Sequence, residues 1–152
     1  TVDGVHSKLL LSKFSFEKTV NAKRETVFER LSNYENYEKL LPQHFPSVRV
    51  RSVRGNVSVV EEHMNLGDRE LLIMAKHVTT EPVLHEVFVI GGDAKGSYIK
   101  QQFIEISQGT KVIVDVNFKL KGKMMMSRIF GKNKIEEDYA KILDDFVKIA
   151  EN

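Results

Sequence analysis

Residues 135–149 read IEEDYAKILDDFVKI. Their large apolar side chains, Ile135, Tyr139, Ile142, Leu143, Phe146 and Ile149, recur mostly at steps of three and four. That spacing gathers them on one stripe of a helix. Glu136, Glu137, Asp138, Lys141, Asp144, Asp145 and Lys148 fall on the other face, with Glu137–Lys141 and Asp144–Lys148 in the favourable i,i+4 orientation. Upstream, Met124, Met125, Met126, Ile129 and Phe130 continue the apolar character across a weak point at Gly131. A helix from Met124 to Asn152 is about 40 Å long. Its stripe needs a surface to lie on, and that surface decides the fold.

The preceding chain supplies one. Residues 9–20 alternate, with Leu10, Phe14, Phe16 and Val20 on one face, as in a half-buried strand. Asn21 is placed to cap a short helix over residues 22–32, with Val27, Phe28 and Leu31 inward. A second short helix, residues 34–41, carries Tyr37, Leu40 and Leu41 and is stopped by Pro42. From Ser47 the period changes to two. Turn signals at Gly55-Asn56, Gly67-Asp68, Glu81-Pro82, residues 91–96 and Gln108-Gly109 cut the rest into six strands. The last, with Val112, Val114, Val116 and Phe118 against Lys111, Asp115 and Lys119, is the clearest amphipathic strand. The expected architecture is α+β. A curved seven-stranded antiparallel sheet wraps around the long C-terminal helix, which lies across its concave face. No repeat or linker interrupts residues 1–152, so one domain is expected, with residues 1–8 poorly ordered.

The string from Lys18 to Pro42 carries a resemblance. Ala22-x-x-x-x-Val27-Phe28 and Tyr34-x-x-Tyr37-x-x-x-Leu41-Pro42, with Gly109-Thr110-Lys111-Val112-x-Val114 later, resemble the START-like (SRPBCC) superfamily. The likeness is closest to its polyketide cyclase/dehydrase and coenzyme-Q-binding group. The resemblance implies a helix-grip fold with an apolar cavity between sheet and terminal helix. It also implies binding of a lipid, quinone, sterol, plant hormone or polyketide, with a cyclase branch and a ribosome-associated toxin branch.

Two-residue turns set the registers independently. Leu66 then opposes Arg69, Met64 opposes Leu71 and Ser58 opposes His77. With Glu81-Pro82 as the loop, His77 opposes Glu86 and Ile73 opposes Ile90. With Gln108-Gly109 as the loop, Phe103 opposes Val114, Gln101 opposes Val116 and Ile99 opposes Phe118. The inward set is apolar (Val50, Val60, Met64, Leu71, Ile73, Leu84, Phe88, Ile99, Phe103, Val114, Val116 and Phe118), with four polar exceptions: Glu62, His77, Glu86 and Gln101. Buried ionisable groups are costly unless paired or wet, so these four suggest a pocket. A three-residue loop at Glu81-Pro82 would reverse the faces of the following strand.

The expected ligand-binding residues are therefore Glu62, Met64, Ile73, His77, Glu86, Phe88, Gln101, Phe103, Val116 and Phe118 on the sheet, with Met125, Ile129, Tyr139, Ile142 and Phe146 on the helix. His77 and Glu86 are the candidates for acid–base chemistry. Met124–Met126 reads as core packing or a cavity gate, and residues 91–96 as a lid or a plain loop.

Composition narrows the classes. Net charge is +2, from 23 basic and 21 acidic residues, too balanced to indicate DNA binding. There is no cysteine, which removes disulfides, thiolate metal sites and cysteine nucleophiles. By the registers above, His63 and His85 point away from His77, so no metal site and no cofactor is expected. Arg49, Arg51, Arg54, Lys100, Lys111 and Lys119 make the outer face basic, the one place for a ribosome or protein partner. No apolar run spans a membrane, and Leu9-Leu10-Leu11 is too short for a signal-peptide core. A cytoplasmic monomer or weak dimer, with at most transient membrane contact, is expected. It would bind or carry a small hydrophobic or amphipathic ligand. The alternatives are a cyclase/dehydratase-like enzyme and a ribosome- or protein-binding module.

Overall fold

The computed structural model describes residues 9–121 and 131–152. The chain runs β1 (Leu9–Val20), α1 (Arg24–Ser32), α2 (Glu35–Leu40), β2 (Ser47–Arg54), β3 (Val57–Leu66), β4 (Arg69–Thr80), β5 (Leu84–Gly92), β6 (Tyr98–Ile106), β7 (Gly109–Lys121) and α3 (Gly131–Glu151). The seven strands form one antiparallel sheet in the order β1-β7-β6-β5-β4-β3-β2. The short helices fill the connection between β1, which pairs with β7, and β2 at the opposite edge. Among the described residues no helix is long and apolar enough to cross a membrane.

The alternation read from β7 is realised: Val112, Val114, Val116, Phe118 and Leu120 are all buried. Against this face lies α3, with Ile135, Tyr139, Ile142, Leu143, Phe146 and Ala150 buried. Phe14, Phe118 and Tyr139 tie β1, β7 and α3 together, their ring centroids 5.7–6.3 Å apart. Full burial of such aromatic side chains is worth about 1.5–3 kcal/mol each.

Asp138, read as a solvent-facing charge, is a correction. It is buried and accepts a hydrogen bond from Arg69 Nη1 at 3.3 Å, with Lys134 Nζ at 2.9 Å. Gly67 explains the close approach. It has φ +64°, and a Cβ there would fall 2.1 Å from Asp138 Oδ2. Helix α3 thus sits on the β3–β4 turn where only glycine leaves room.

Other differences are local. Asn21 does not cap α1. The capping position is Lys23, without a side-chain bond, and Asn21 N–H instead donates to Glu151 Oε2 at 2.9 Å. Leu40, at the end of α2, and Val50, on the edge strand β2, are exposed. The Gly91–Gly96 segment is tied down: Asp93 Oδ2 accepts from Leu72 N–H at 2.8 Å, Gly96 N–H donates to Val89 O at 2.8 Å, and Ala94 is buried. Those bonds make it part of the sheet rather than a free lid. The Met124–Met126 gate, Met125 and Ile129 lie outside the described residues.

Two registers differ from expectation, with opposite consequences. The β6–β7 loop is one residue earlier, so Phe103 opposes Val112 and Gln101 opposes Val114. That slip of two positions preserves every face. The β4–β5 loop has three residues, with Thr80 opposite Leu84 and His77 opposite Val87. That slip of one turns β5 over. His85, Val87 and Val89 now point inward, while Glu86, Phe88 and Ile90 face out.

Candidate functional site

Four polar side chains from four consecutive strands meet on the concave face. Gln101 on β6 and His85 on β5 are direct cross-strand partners, and His85 Nδ1 lies 2.6 Å from Gln101 Oε1. His85 Nε2 lies 2.8 Å from His77 Nδ1 on β4, the two rings stacked within 10°. His77 Nε2 lies 2.6 Å from Glu62 Oε2 on β3. In the β3–β4 register, Glu62 pairs with Ile73, Val60 with Ala75 and Ser58 with His77. The short Ala75 side chain occupies the position between them and leaves the space that the two long ones cross. All four residues are at least 95% buried: Glu62 is 3%, His77 2%, His85 1% and Gln101 5% exposed.

With Gln101 Oε1 toward His85, the bonding places the protons. Burial, reinforced by His77 beside it, pushes the His85 pKa down to about 3, so this ring is neutral. A neutral imidazole donates once and accepts once. Nδ1–H donates to Gln101 Oε1, so Nε2 accepts from His77 Nδ1–H. One proton then remains between His77 Nε2 and Glu62 Oε2. Either Glu62 is protonated and His77 neutral, or the two form an ion pair. In both cases the pair carries no net charge.

The chain lines a cavity of about 40 Å³ between the sheet and α3. That is room for about three water-sized spheres. Met64, Ile73, Val87, Val89, Ile99 and Phe118 line it from the sheet, Tyr139, Ile142 and Phe146 from α3, and Tyr37 and Phe45 from the α2 side. Burial, and behind it the charge of Glu62, raises the pKa of Tyr37 and Tyr139 well above the ordinary phenol value. Tyr37 Oη donates to Leu31 O at 2.8 Å. Tyr139 Oη, the second oxygen of Glu62 and the Gln101 amide nitrogen take no hydrogen bond among the described residues, although all three residues line the cavity. Tyr34 covers the chain from the other side, its ring 5.4 Å from His77 and its hydroxyl donating to Ser58 Oγ at 3.0 Å.

Of the expected ligand-binding residues, Glu62, Met64, Ile73, His77, Gln101, Phe118, Tyr139, Ile142 and Phe146 meet here. Glu86 and Phe88 do not. The overturned strand puts them on the convex face, where Tyr98 Oη donates to Glu86 Oε2 at 2.5 Å and Phe88 stacks on Tyr98. Phe103 is buried under α1 against Phe28, ring centroids 5.1 Å apart, and Val116 is buried without lining the cavity. His85, expected to face away, is the middle of the chain. β5 reads LHEVFVI with apolar residues on both parities, so its alternation gave no signal for either face.

Among the described residues no three metal-binding side chains converge, and both nitrogens of His77 and of His85 are engaged within the chain. The outer basic residues are interleaved with acids: Arg51 lies 3.8 Å from Glu61, Lys111 3.9 Å from Glu17, and Lys100 pairs in register with Glu86 and Asp115. A larger groove of about 600 Å³ lies between α1 and the β4–β5 turn, lined in part by Glu25, Glu29 and Glu81. It is open to solvent, and Glu29 is already engaged by Asn33, Asn36 and Arg30.

No family model matches the chain, and no curated protein sequence matches it. Solved structures do. The di-domain aromatase/cyclase StfQ from the steffimycin biosynthetic pathway superposes with a TM-score of 0.73 at 10% identity, over 93% of this chain and 50% of that one. The chain thus spans about half the length of that protein. The Zhui aromatase/cyclase from Streptomyces sp. R1128 gives 0.71 at 13% identity, over 95% and 94% of the two chains. Ara h 8.0201 gives 0.65 at 17% identity, over 93% and 95%. The fold is therefore the one these structures share, a helix-grip fold with a seven-stranded antiparallel sheet gripping a C-terminal helix.

Proposed function

We propose that this protein binds a small amphipathic molecule between the sheet and α3, its polar group at Glu62 and Tyr139 and its carbon skeleton against the aromatic wall. The observation that carries this reading is the buried Glu62–His77–His85–Gln101 chain opening onto an otherwise apolar cavity. A core built only for stability gains little from such a chain, since an apolar replacement of similar volume is often neutral or stabilising. A few convergent polar groups in an apolar concavity are what a small-molecule site needs. A cavity of about 40 Å³ takes a head group of a few atoms, so a longer ligand has to part α3 from the sheet. Burial of its carbons then supplies about 25 cal/mol per Å².

Native mass spectrometry of protein purified from its source tests this directly. A small molecule is expected to co-purify, and amphipathic ligands are expected to raise the melting temperature. Protein free of any bound molecule, with a melting temperature unmoved by a broad panel, overturns the reading.

A second reading is favoured by the 2.6 Å contact between Glu62 and His77, a shared proton next to a ligand cavity. Such a pair suits general acid–base catalysis, and two of the matched structures are aromatase/cyclases by name. The reactive group would be Glu62, whose second oxygen has no hydrogen-bond partner among the described residues, since both nitrogens of His77 are engaged. Turnover of a carbonyl substrate that is lost in Glu62→Gln while ligand binding persists separates this reading from simple binding.

A further inference from the structure

The hydrogen-bonded chain has a second complete arrangement. If the Gln101 amide turns over, its nitrogen donates to His85 Nδ1. His85 Nε2–H then donates to His77 Nδ1, and His77 Nε2–H donates to the Glu62 carboxylate. All three contacts at 2.6, 2.8 and 2.6 Å are kept. The chain holds three mobile protons as it stands and two after the turn, and the difference leaves to solvent. Its net charge therefore passes from zero to −1 without an unpaired buried nitrogen on either histidine. In most buried clusters a charge change breaks a hydrogen bond, which is expensive. Here the heavy atoms need only the rotation of one amide, whose nitrogen has no partner among the described residues to hold it, while two protons hop along the existing contacts and the third leaves.

We infer that Glu62, His77, His85 and Gln101 form a proton-linked recognition unit for a protonated amine head group, which docks at the free oxygen of Glu62 as the unit gives up one proton. This rests on the proposed binding function and names its ligand class. The arriving ammonium replaces the charge of the departing proton, so the buried site stays neutral overall. Tyr37, Phe45 and Phe146, with ring centroids 4.7–6.0 Å apart, supply an aromatic wall that suits a cation and its methylenes. An anionic head group instead meets the lone pairs of Glu62. The titratable groups facing Glu62 are His77 from β4, with His85 behind it on β5, Tyr37 from α2 and Tyr139 from α3. Of the ionisable groups on the flanking elements, Arg69 and Lys134 pair with Asp138, and His44 Nε2 lies in hydrogen-bond contact with Asp145 Oδ2 at 2.7 Å.

Isothermal titration calorimetry with octylamine, 1-octanol and octanoate tests the inference. The three probes share a tail, so differences report the head group. Octylamine is expected to bind at least tenfold tighter than octanoate, with 1-octanol between. Titrations in buffers of different ionisation enthalpy at one pH are expected to show about one proton released per octylamine and none per octanol. Octylamine affinity should accordingly rise up to tenfold per pH unit, the linkage of one released proton. Gln101→Met, which keeps length but cannot donate to His85, should abolish the proton release and bring octylamine and octanol to similar affinity. Binding of all three probes with no head-group preference, or octylamine binding without proton release, overturns this inference and leaves the apolar-binding function standing. Failure of all three to bind removes both.

Discussion

The imidazoles of His77 and His85 stand parallel, ring centroids 5.1 Å apart, and are joined by a 2.8 Å hydrogen bond between Nδ1 of one and Nε2 of the other. Among the described residues neither has another partner on that side, and both are buried.

Replacing His85 by leucine should therefore act twice. It strands the His77 Nδ1–H, at a cost of about 1–3 kcal/mol. It also removes a group whose pKa falls from about 6.5 in the unfolded chain to about 3 in the fold. A depressed folded pKa gives stability that is complete above the unfolded value and is lost as pH falls toward the folded one. Wild type should lose up to about 1.4 kcal/mol per pH unit from this group below pH ~6.5. Urea denaturation from pH 7 to pH 4 should show a shallower decline for His85→Leu. Parallel curves would contradict the neutral, buried state of His85.

The two turn glycines separate strain from collision. Gly55 and Gly67 have similar φ, +60° and +64°, but a Cβ meets nothing within 4 Å at Gly55 and lies 2.1 Å from Asp138 Oδ2 at Gly67. Gly55→Ala should cost only the conformational term, roughly 1 kcal/mol. Gly67→Ala should cost well beyond that, because Asp138 has to leave Arg69. Thermal melts of the two variants check the ordering.

The Arg69–Asp138 pair is buried on both sides. Arg69→Met should destabilise by about 3–5 kcal/mol, since it leaves a carboxylate without its buried partner. Adding Asp138→Leu should recover much of that loss. A double-mutant cycle by chemical denaturation gives the coupling, and simple additivity would show that the contact contributes nothing.

Tyr139→Phe should leave stability within about 0.5 kcal/mol, as its hydroxyl has no partner among the described residues to lose. If Tyr139 Oη meets the ligand head group, affinity should drop roughly tenfold, the worth of one good hydrogen bond. Unchanged affinity would remove Tyr139 from the contact set.

Glu86→Gln and Phe88→Ala should leave affinity for any cavity ligand within about twofold, because both lie on the convex face with Tyr98. Phe103→Leu should destabilise by about 1 kcal/mol through its contact with Phe28, again without an affinity change. Ligand titration of the three variants checks this, and a large loss at Glu86 would place the site on the wrong face of the sheet.

Periodicity alone determined the elements and their order. The stripe from Ile135 to Phe146, the alternation of β7 and the turn glycines each follow from local stereochemistry that a sequence displays openly. Glu62 and His77 were legible as inward polar exceptions because the two-residue turn at Gly67-Asp68 fixed β3 against β4, and Gln101 because a turn near Gln108-Gly109 set β6 against β7. The slip of two at β6–β7 did no harm, since side chains repeat every second residue. What only the tertiary structure decided was β5. Its apolar residues occupy both parities, so burial could satisfy either face, and the choice passed to the length of the loop after Thr80. Three residues there, not two, exchange Glu86 for His85. They turn an isolated His–Glu pair into a chain of four across four strands, gripped beneath the terminal helix.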